Sequence, residues 1–297
     1  MREKPGAGRR IHVNDLDPAK AKEEMRAHLL EVRHLTVLAM SVVANGAQVR
    51  RPDRLTELSL AIETITIMMD GIASSIASVV RLTDEIDLGI RDCYGIARSI
   101  CEGSINAAYI MAGGNDVAGR ARRHAMQKSY REMARNEDIG GFRIGASDLP
   151  MPQAIAGMQE ALAEFTRRNG SEITEWSGLS LLEKKDAIVA RYPGLRLSLE
   201  GSISSLYRRS SELLHGTFAG AELFWSAGGP ARPTSDEFER LWVQHHLVPI
   251  FTSIWTSVLA LLEAIEQEFD VPELGRRKRA WLASAASIFD VMVTEAE

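Results

Sequence analysis

Arg208 and His215 lie seven residues apart in a stretch that we predict to be one helix, residues 197–218. Seven residues are close to two helical turns, so both side chains leave the helix on the same side. With two serines they form a polar stripe, Ser204, Arg208, Ser211 and His215. A histidine can transfer protons near pH 7, and an arginine can hold a phosphate and stabilise negative charge in a transition state. This pair suffices for metal-independent cleavage of RNA, with the ribose 2′-hydroxyl as internal nucleophile.

The predicted apolar face of the same helix borders this stripe. It consists of Ile203, Leu206, Tyr207, Leu213 and Leu214. Arg209 is predicted to point to solvent, whereas Tyr207 and Ser211 are placed to orient the reacting groups. Gly216 either ends the helix or lets another backbone approach His215.

A second polar stripe lies on a helix predicted from Leu88 to Ala112. Besides Arg91 it contains Arg98, Glu102, Asn106 and Tyr109. The Arg98–Glu102 pair is worth a few tenths of a kcal/mol (about 0.3–0.5) if exposed, and becomes a candidate site wall if buried. Because buried polar groups need partners, we expect this helix to pack against the helix of His215 and to bring Glu102 near His215.

A basic helix is predicted to follow Gly113-Gly114-Asn115 and to run to about Asn136. One of its faces carries Arg120, His124, Lys128, Arg131 and Arg135. This face is either solvated or a ridge that contacts the phosphates of a nucleic acid.

The remaining signals are those of long helices. One helix should begin at Asp17-Pro18 and end at Asn45, and the next should run from Pro52 to Val80 as its antiparallel partner. Residues 138–196 interrupt the pattern with a glycine-rich connection, a helix over 153–168 and a short helix that begins with a capping box. We predict an all-α fold, a bundle of long antiparallel helices with a smaller helical insertion. The domain organisation predicted is a disordered tail over 1–13 and one helical domain over 14–297.

Composition limits the classes of function. The 297 residues carry a net charge of −5, so any RNA site must be a local patch. Cys93 and Cys101 are too far apart on one helix for a disulfide, and the apolar stretch Leu247–Leu262 is short for a membrane span and contains Pro249. We expect a cytoplasmic protein without membrane contact. The sequence has no metal-ligand motif and no phosphate-binding glycine loop, so we expect no metal and no cofactor.

The Arg-x₆-His spacing of Arg208 and His215 resembles the signature of the HEPN superfamily, and Arg209 fits its shorter variant. The resemblance implies a helical bundle, frequent dimerisation with the motifs facing each other, and often ribonuclease activity in toxin or phage-defence systems.

A second resemblance covers more of the chain, about Leu88 to Phe224. The stretches Ala97–Gly114 and 206–218 are similar to a bacterial family of helical proteins described only as a domain of unknown function. The matching positions are Arg98, Glu102, Asn106, Tyr109, Tyr207, Ser211, His215 and Gly216. This resemblance suggests that the two polar stripes belong to one site.

The leading hypothesis is therefore a metal-independent endoribonuclease, a toxin or phage-defence effector, in which Arg208 binds the scissile phosphate and His215 is the general acid or base. Arg98, Glu102 and Asn106 would form the opposite wall. The partners implied are RNA, a second copy of the chain and a cognate regulator protein. A non-catalytic module that binds a partner protein or a nucleotide-like ligand through the same groove is the alternative, and a purely structural role of both stripes is a third.

Overall fold

The computed structural model describes residues 17–135, 137–140, 142–144, 150–226 and 234–293. The described chain is all-α apart from one short hairpin, as predicted. The helices are α1 Pro18–Ala44, α2 Leu55–Leu82, α3 Ile90–Ala134, α4 Met158–Glu164, α5 Leu181–Arg191, α6 Arg196–Leu214, α7 Phe218–Trp225, α8 Ser235–Leu241, α9 Val248–Glu268 and α10 Pro272–Val293. A π-helical turn, Trp242–Leu247, joins α8 to α9. The predicted tail, 1–13, lies outside the described residues.

Local capping signals position the first helices. The side chain of Asp17 accepts a hydrogen bond from the backbone N–H of Ala19, Pro18 occupies the first turn, and α1 ends at Ala44 before the left-handed Gly46. Arg26 of α1 donates to the carbonyl oxygen of Val80 near the end of α2, at 3.3 Å. The two helices are thus the antiparallel hairpin that the sequence predicts.

The predicted break at Gly113-Gly114-Asn115 is confirmed as a kink, because Gly114 is non-helical and separates two helical halves within α3. Gly114 has φ 68° and ψ −152°, and a Cβ atom there would lie 2.7 Å from the carbonyl oxygen of Glu57 on α2. The side-chain oxygen of Asn115 accepts from the backbone N–H groups of Leu60 and Ala61, at 2.8 and 3.1 Å. A glycine is required here because the backbones of α2 and α3 touch, and the kink keeps both halves of α3 against α2.

The segment between α3 and α6 contains an element that the sequence analysis did not predict. Residues Glu137–Ile139 and Phe142–Ile144 form two antiparallel strands, β1 and β2, with Glu137 opposite Ile144. The helix predicted over 153–168 is shorter, because α4 begins only after the left-handed Gly157 and ends at Glu164. The capping box is confirmed: Ser180 accepts from the N–H of Glu183, whose carboxylate accepts from the N–H of Ser180. Both α4 and α5 pack on α3.

The core lies where α9 packs against α1, α3 and α6. The apolar stretch Leu247–Leu262 is buried inside the bundle, with Ile250, Phe251, Ile254, Val258 and Leu261 fully covered. Within the part of the chain that the structure describes, three helical stretches are long and apolar enough to cross a membrane: Pro18–Ala44, Pro52–Leu82 and Asp236–Glu268. The cytoplasmic location therefore stays a prediction.

The predicted apolar face of α6 needs correction, because the helix is rotated relative to it. Its buried residues are Leu199, Ser202, Leu206, Ser210 and Leu213, whereas Tyr207 is 36% and Leu214 53% exposed. The carbonyl oxygen of Ser202 accepts from the hydroxyl of Ser253 on α9 at 3.0 Å. Small serines allow α6 and α9 to approach closely, and a sequence pattern that counts only apolar residues misses such a contact.

Candidate functional site

The two polar stripes meet because α3 and α6 pack side by side and antiparallel. Gly95 of α3 abuts Leu214 of α6, and the Cys101 thiol contacts the carbonyl oxygen of Ser202 at 3.8 Å near the other end of the pair. The expected packing of these helices is confirmed. We call the face that they share the polar surface: Arg98, Glu102, Asn106, Ser204, Tyr207, Ser211 and His215.

Arg98 occupies the centre of the polar surface. Its Nε donates to Oε1 of Glu102 at 2.8 Å, its Nη2 donates to the hydroxyl of Tyr207 at 3.1 Å, and its guanidinium carbon lies 4.4 Å from the centre of the Tyr207 ring. The hydrogen bond with Glu102 is the largest of the effects that raise the pKa of Arg98. A cation held by a carboxylate and stacked on a ring is well ordered, and this one stays partly open to solvent.

His215 marks one end of the polar surface. It is the exposed C-cap residue that follows Leu214, the last residue of α6, and its N–H donates to the carbonyl oxygen of Ser211. Gly216 has φ 63°, so this glycine ends the helix. Glu102 lies seven residues beyond Gly95, the α3 residue that faces Leu214, which is about 10 Å of helix axis. The structure therefore does not bring Glu102 and His215 into contact, although both border the same surface.

The other residues of the α6 stripe differ in their surroundings. Ser204 is exposed and donates to the carbonyl of Gly201, whereas Ser211 is half-buried. Arg208 lies in α6, and its side chain is outside what the structure describes. Arg209 was predicted to point only to solvent. Its residue is exposed, but its guanidinium donates to the carbonyl of His245 at 3.1 Å, which ties α6 to the π-helical turn.

A buried lysine forms the opposite end of the polar surface. Lys184 of α5 is 6% exposed, donates to Oδ1 of Asn106 at 2.9 Å, and lies 5.1 Å from the centre of the Trp176 ring. Burial lowers the pKa of its ammonium group, with partial compensation from Glu175 and Glu102. Tyr109 packs against Trp176, ring to ring at 5.9 Å.

Sequence reasoning missed Lys184 and Trp176. A signal for Lys184 was present, because Lys184, Ile188 and Val189 share one face of a short helix, and that face is the one buried on α3. Nothing comparable singled out Trp176, which lies in an irregular loop before α5.

The basic face of α3 is already occupied by neighbouring groups. Arg120 donates to the carbonyl of Trp176 at 2.7 Å, and Arg131 donates to Gln127 at 2.6 Å and to Thr166. The remaining members are likewise engaged: Lys128 with Glu172 at 3.9 Å, Arg135 with Glu132 at 3.5 Å, and the ring of His124 against Phe165 at 4.9 Å. These contacts resemble a structural seam between α3 and the inserted segment more than a free phosphate ridge.

A buried tyrosine–histidine pair lies beneath Arg209. The hydroxyl of Tyr94 is 2.8 Å from Nδ1 of His246 and donates to the carbonyl of His245 at 3.2 Å. Burial lowers the pKa of His246 to about 4 and raises that of Tyr94. Both groups are therefore neutral at pH 7, and they fix the π-helical turn against α3. His246 is buried, whereas its neighbour His245 is half-buried.

No group of three histidine, cysteine or acidic side chains suited to a metal ion occurs among the residues that the structure describes. The fold and these contacts define a helical-bundle protein with a polar surface between two antiparallel helices. A model of a family of unknown function, DUF5677, matches residues 58–230, more than half of the chain. The chain belongs to this family. The comparison with curated proteins gives no match, and neither does the comparison with solved structures.

The family match supports the resemblance to a family of unknown function and does not test the HEPN resemblance. It covers the chain from early α2 to beyond α7, which includes both polar stripes and Lys184. The resemblance to a family of unknown function is thus confirmed. That family carries no assigned activity, so function has to be argued from the site.

Proposed function

We propose that this chain is a HEPN-like, metal-independent endoribonuclease whose reacting group is His215. The observation that supports the proposal is an exposed histidine at the end of a surface that also carries Arg98 and Tyr207. Neutral imidazole would take the proton of the ribose 2′-hydroxyl, and the resulting oxygen would attack the adjacent phosphorus. The P–O5′ bond breaks, which leaves a 2′,3′-cyclic phosphate and a 5′-hydroxyl that receives a proton. Arg208 is the proposed phosphate ligand.

A second copy of the chain is part of this proposal. His215 is flanked by Leu214 and by Phe218, which is 82% exposed. Exposed apolar side chains of this size next to a polar site are typical of an interface. In such a dimer one His215 would act as the base and the second copy's His215 would protonate the leaving oxygen. Uncontrolled RNA cleavage would be toxic to a bacterial host, so the proposed role is that of a toxin or phage-defence effector. The corresponding partner is a cognate regulator protein that controls the activity.

The test is cleavage of a labelled RNA pool in the presence of a chelator, with product ends identified by their phosphate chemistry. His215→Ala and Arg208→Ala should each reduce the rate by about 10²- to 10⁴-fold. His34→Ala is the matched control, because His34 is also exposed but lies on α1. Equal cleavage by the His215→Ala and His34→Ala proteins would refute the proposal, and so would loss of cleavage on chelation.

The dimer has its own pair of variants. Phe218→Glu should give a monomer in light scattering and lose cleavage. Leu197→Glu should leave both unchanged, since Leu197 is equally exposed but lies at the opposite end of α6. A monomeric, fully active wild-type protein would contradict the shared site.

A non-catalytic binding module remains the second candidate, and one observation favours it. Among the described contacts Arg98 uses two of its five N–H donors, on Glu102 and Tyr207, and its side chain stays partly exposed, so it can bind a ligand without any reacting group beside it. RNA or nucleotide binding without cleavage, weakened by Arg98→Ala and unaffected by His215→Ala, would select this candidate over the enzyme.

A further inference from the structure

A pocket of about 300 Å³ opens between α2, the two halves of α3 and the loop of Trp176. Its walls are mostly apolar, with Ile67 and Met68 from α2, Ile110 from α3 and the Trp176 indole. This volume is at the lower end of the range for small-molecule sites, about 300–1,000 Å³. A mostly apolar pocket with one aromatic wall suits a flat ring system.

The polar groups of the pocket favour a neutral or anionic ligand. Its lining includes Asn106, Arg122 and His124, and no carboxylate is among the lining residues. Nε2 of His124 is buried without a hydrogen-bond partner in the described part of the chain. Arg122 pairs with Glu63 at 2.8 Å, but both side chains are about half exposed, so the guanidinium can exchange this partner for a ligand.

Lys184 adds a positive charge directly behind the wall. It contacts both Asn106 and Trp176, which line the pocket, and among the described residues it forms no ion pair, although Glu175 and Glu102 act on its charge from a greater distance. A buried ammonium that these carboxylates compensate only in part makes its surroundings favourable to an anion.

We infer that this pocket binds a small planar aromatic acid, with the ring between Trp176 and the apolar side chains of α2 and the carboxylate towards Arg122 and His124. The site lies beside the polar surface and shares only Asn106 with it. Binding is independent of RNA cleavage, so the His215→Ala protein should bind the acid as the wild type does.

Calorimetric titration of the full chain with 2-naphthoate tests the inference. The uncharged 2-naphthamide and the cationic 2-naphthylmethylammonium are matched probes of the same ring. We expect one 2-naphthoate per chain, weaker binding of the amide and no binding of the cation. Equal binding of all three probes would overturn the inference, and so would no binding of naphthoate at millimolar concentration.

Two pairs of variants locate the site. Trp176→Ala should weaken naphthoate binding about tenfold, whereas Trp225→Ala, at an exposed tryptophan on α7, should not change it. Arg122→Gln should reduce the affinity for naphthoate about tenfold, to that for the amide, whereas Arg276→Gln should not, since Arg276 is an exposed arginine paired with Glu273.

Folding is controlled within the same series. Trp176→Phe keeps a ring in the wall, and Arg122 is at the surface, so both variants should retain the helical circular dichroism spectrum. Naphthoate binding that survives unchanged in Trp176→Ala and in Arg122→Gln would place the acid elsewhere and refute the assignment.

Discussion

Replacing Lys184 by methionine should stabilise the protein, because the lysine holds a charge in a buried position. The substitution loses one hydrogen bond from a charged donor, about 1.5–3 kcal/mol, and a cation–π contact of about 0.5–2 kcal/mol. It also removes the desolvation of the ammonium group, which is several kcal/mol for a buried ion. Asn106 is only half-buried, so a water molecule can donate the hydrogen bond that its side-chain oxygen loses when the lysine is removed. We expect a net gain of about 1 kcal/mol in the free energy of unfolding at pH 7, or about 2 °C in Tm.

The pH dependence of this gain follows from the direction of the pKa shift. The folded-state pKa of Lys184 is lowered below 10.5, so the unfolded chain keeps this proton to higher pH than the folded chain does. Wild-type stability therefore rises with pH between the folded pKa and 10.5. The advantage of Lys184→Met should be largest below the folded pKa and should shrink as the pH approaches 10.5.

The neighbouring Lys185 provides a control of opposite sign. Hydrogen bonds to Asp186 and Glu200 raise the pKa of Lys185. Its charge stabilises the folded state below 10.5, and this contribution is lost as the pH rises through the raised folded pKa. Lys185→Met should thus be less stable than wild type near neutral pH.

Denaturant unfolding of the three proteins between pH 7 and 10 measures both effects. A Lys184→Met protein that is less stable than wild type by more than about 1 kcal/mol at pH 7 would refute the reasoning, because the ammonium would then be net stabilising where it lies.

Two further stability predictions concern backbone and charge. Gly114→Ala should destabilise by about 1–3 kcal/mol, because φ is 68° and the new Cβ would meet the Glu57 carbonyl, whereas Gly71→Ala, with open space in α2, should stabilise by about 0.5–1 kcal/mol. Equal thermal shifts for the two glycine variants would contradict the kink argument. Glu268→Gln should cost about 3–5 kcal/mol, because this fully buried carboxylate faces three arginines, Arg54 among them. Denaturant unfolding checks this value, and a loss below about 1 kcal/mol would show that the arginines do not depend on the carboxylate.

The sequence alone determined the helical character of the chain and several helix ends. Two helix starts are set by local caps, Asp17 with Pro18 and Ser180 with Glu183. The capping side chains bond to backbone groups only two or three residues away, so the sequence predicts these helix starts without knowledge of the fold. The i,i+4 pair of Arg98 and Glu102 is local in the same sense, and it forms as the spacing predicts.

Only the tertiary structure decided which faces are covered. Ser202 is buried although it is polar, because a small residue lets α9 approach α6 there, and Tyr207 is turned outward to stack on Arg98. Which residues of a helix are buried depends on the helices that pack against it, and these are distant in sequence, so the periodicity of one helix does not predict it. The burial of Lys184 has the same origin, because the charge enters the bundle only when α5 packs on α3, where Asn106 and Trp176 receive it.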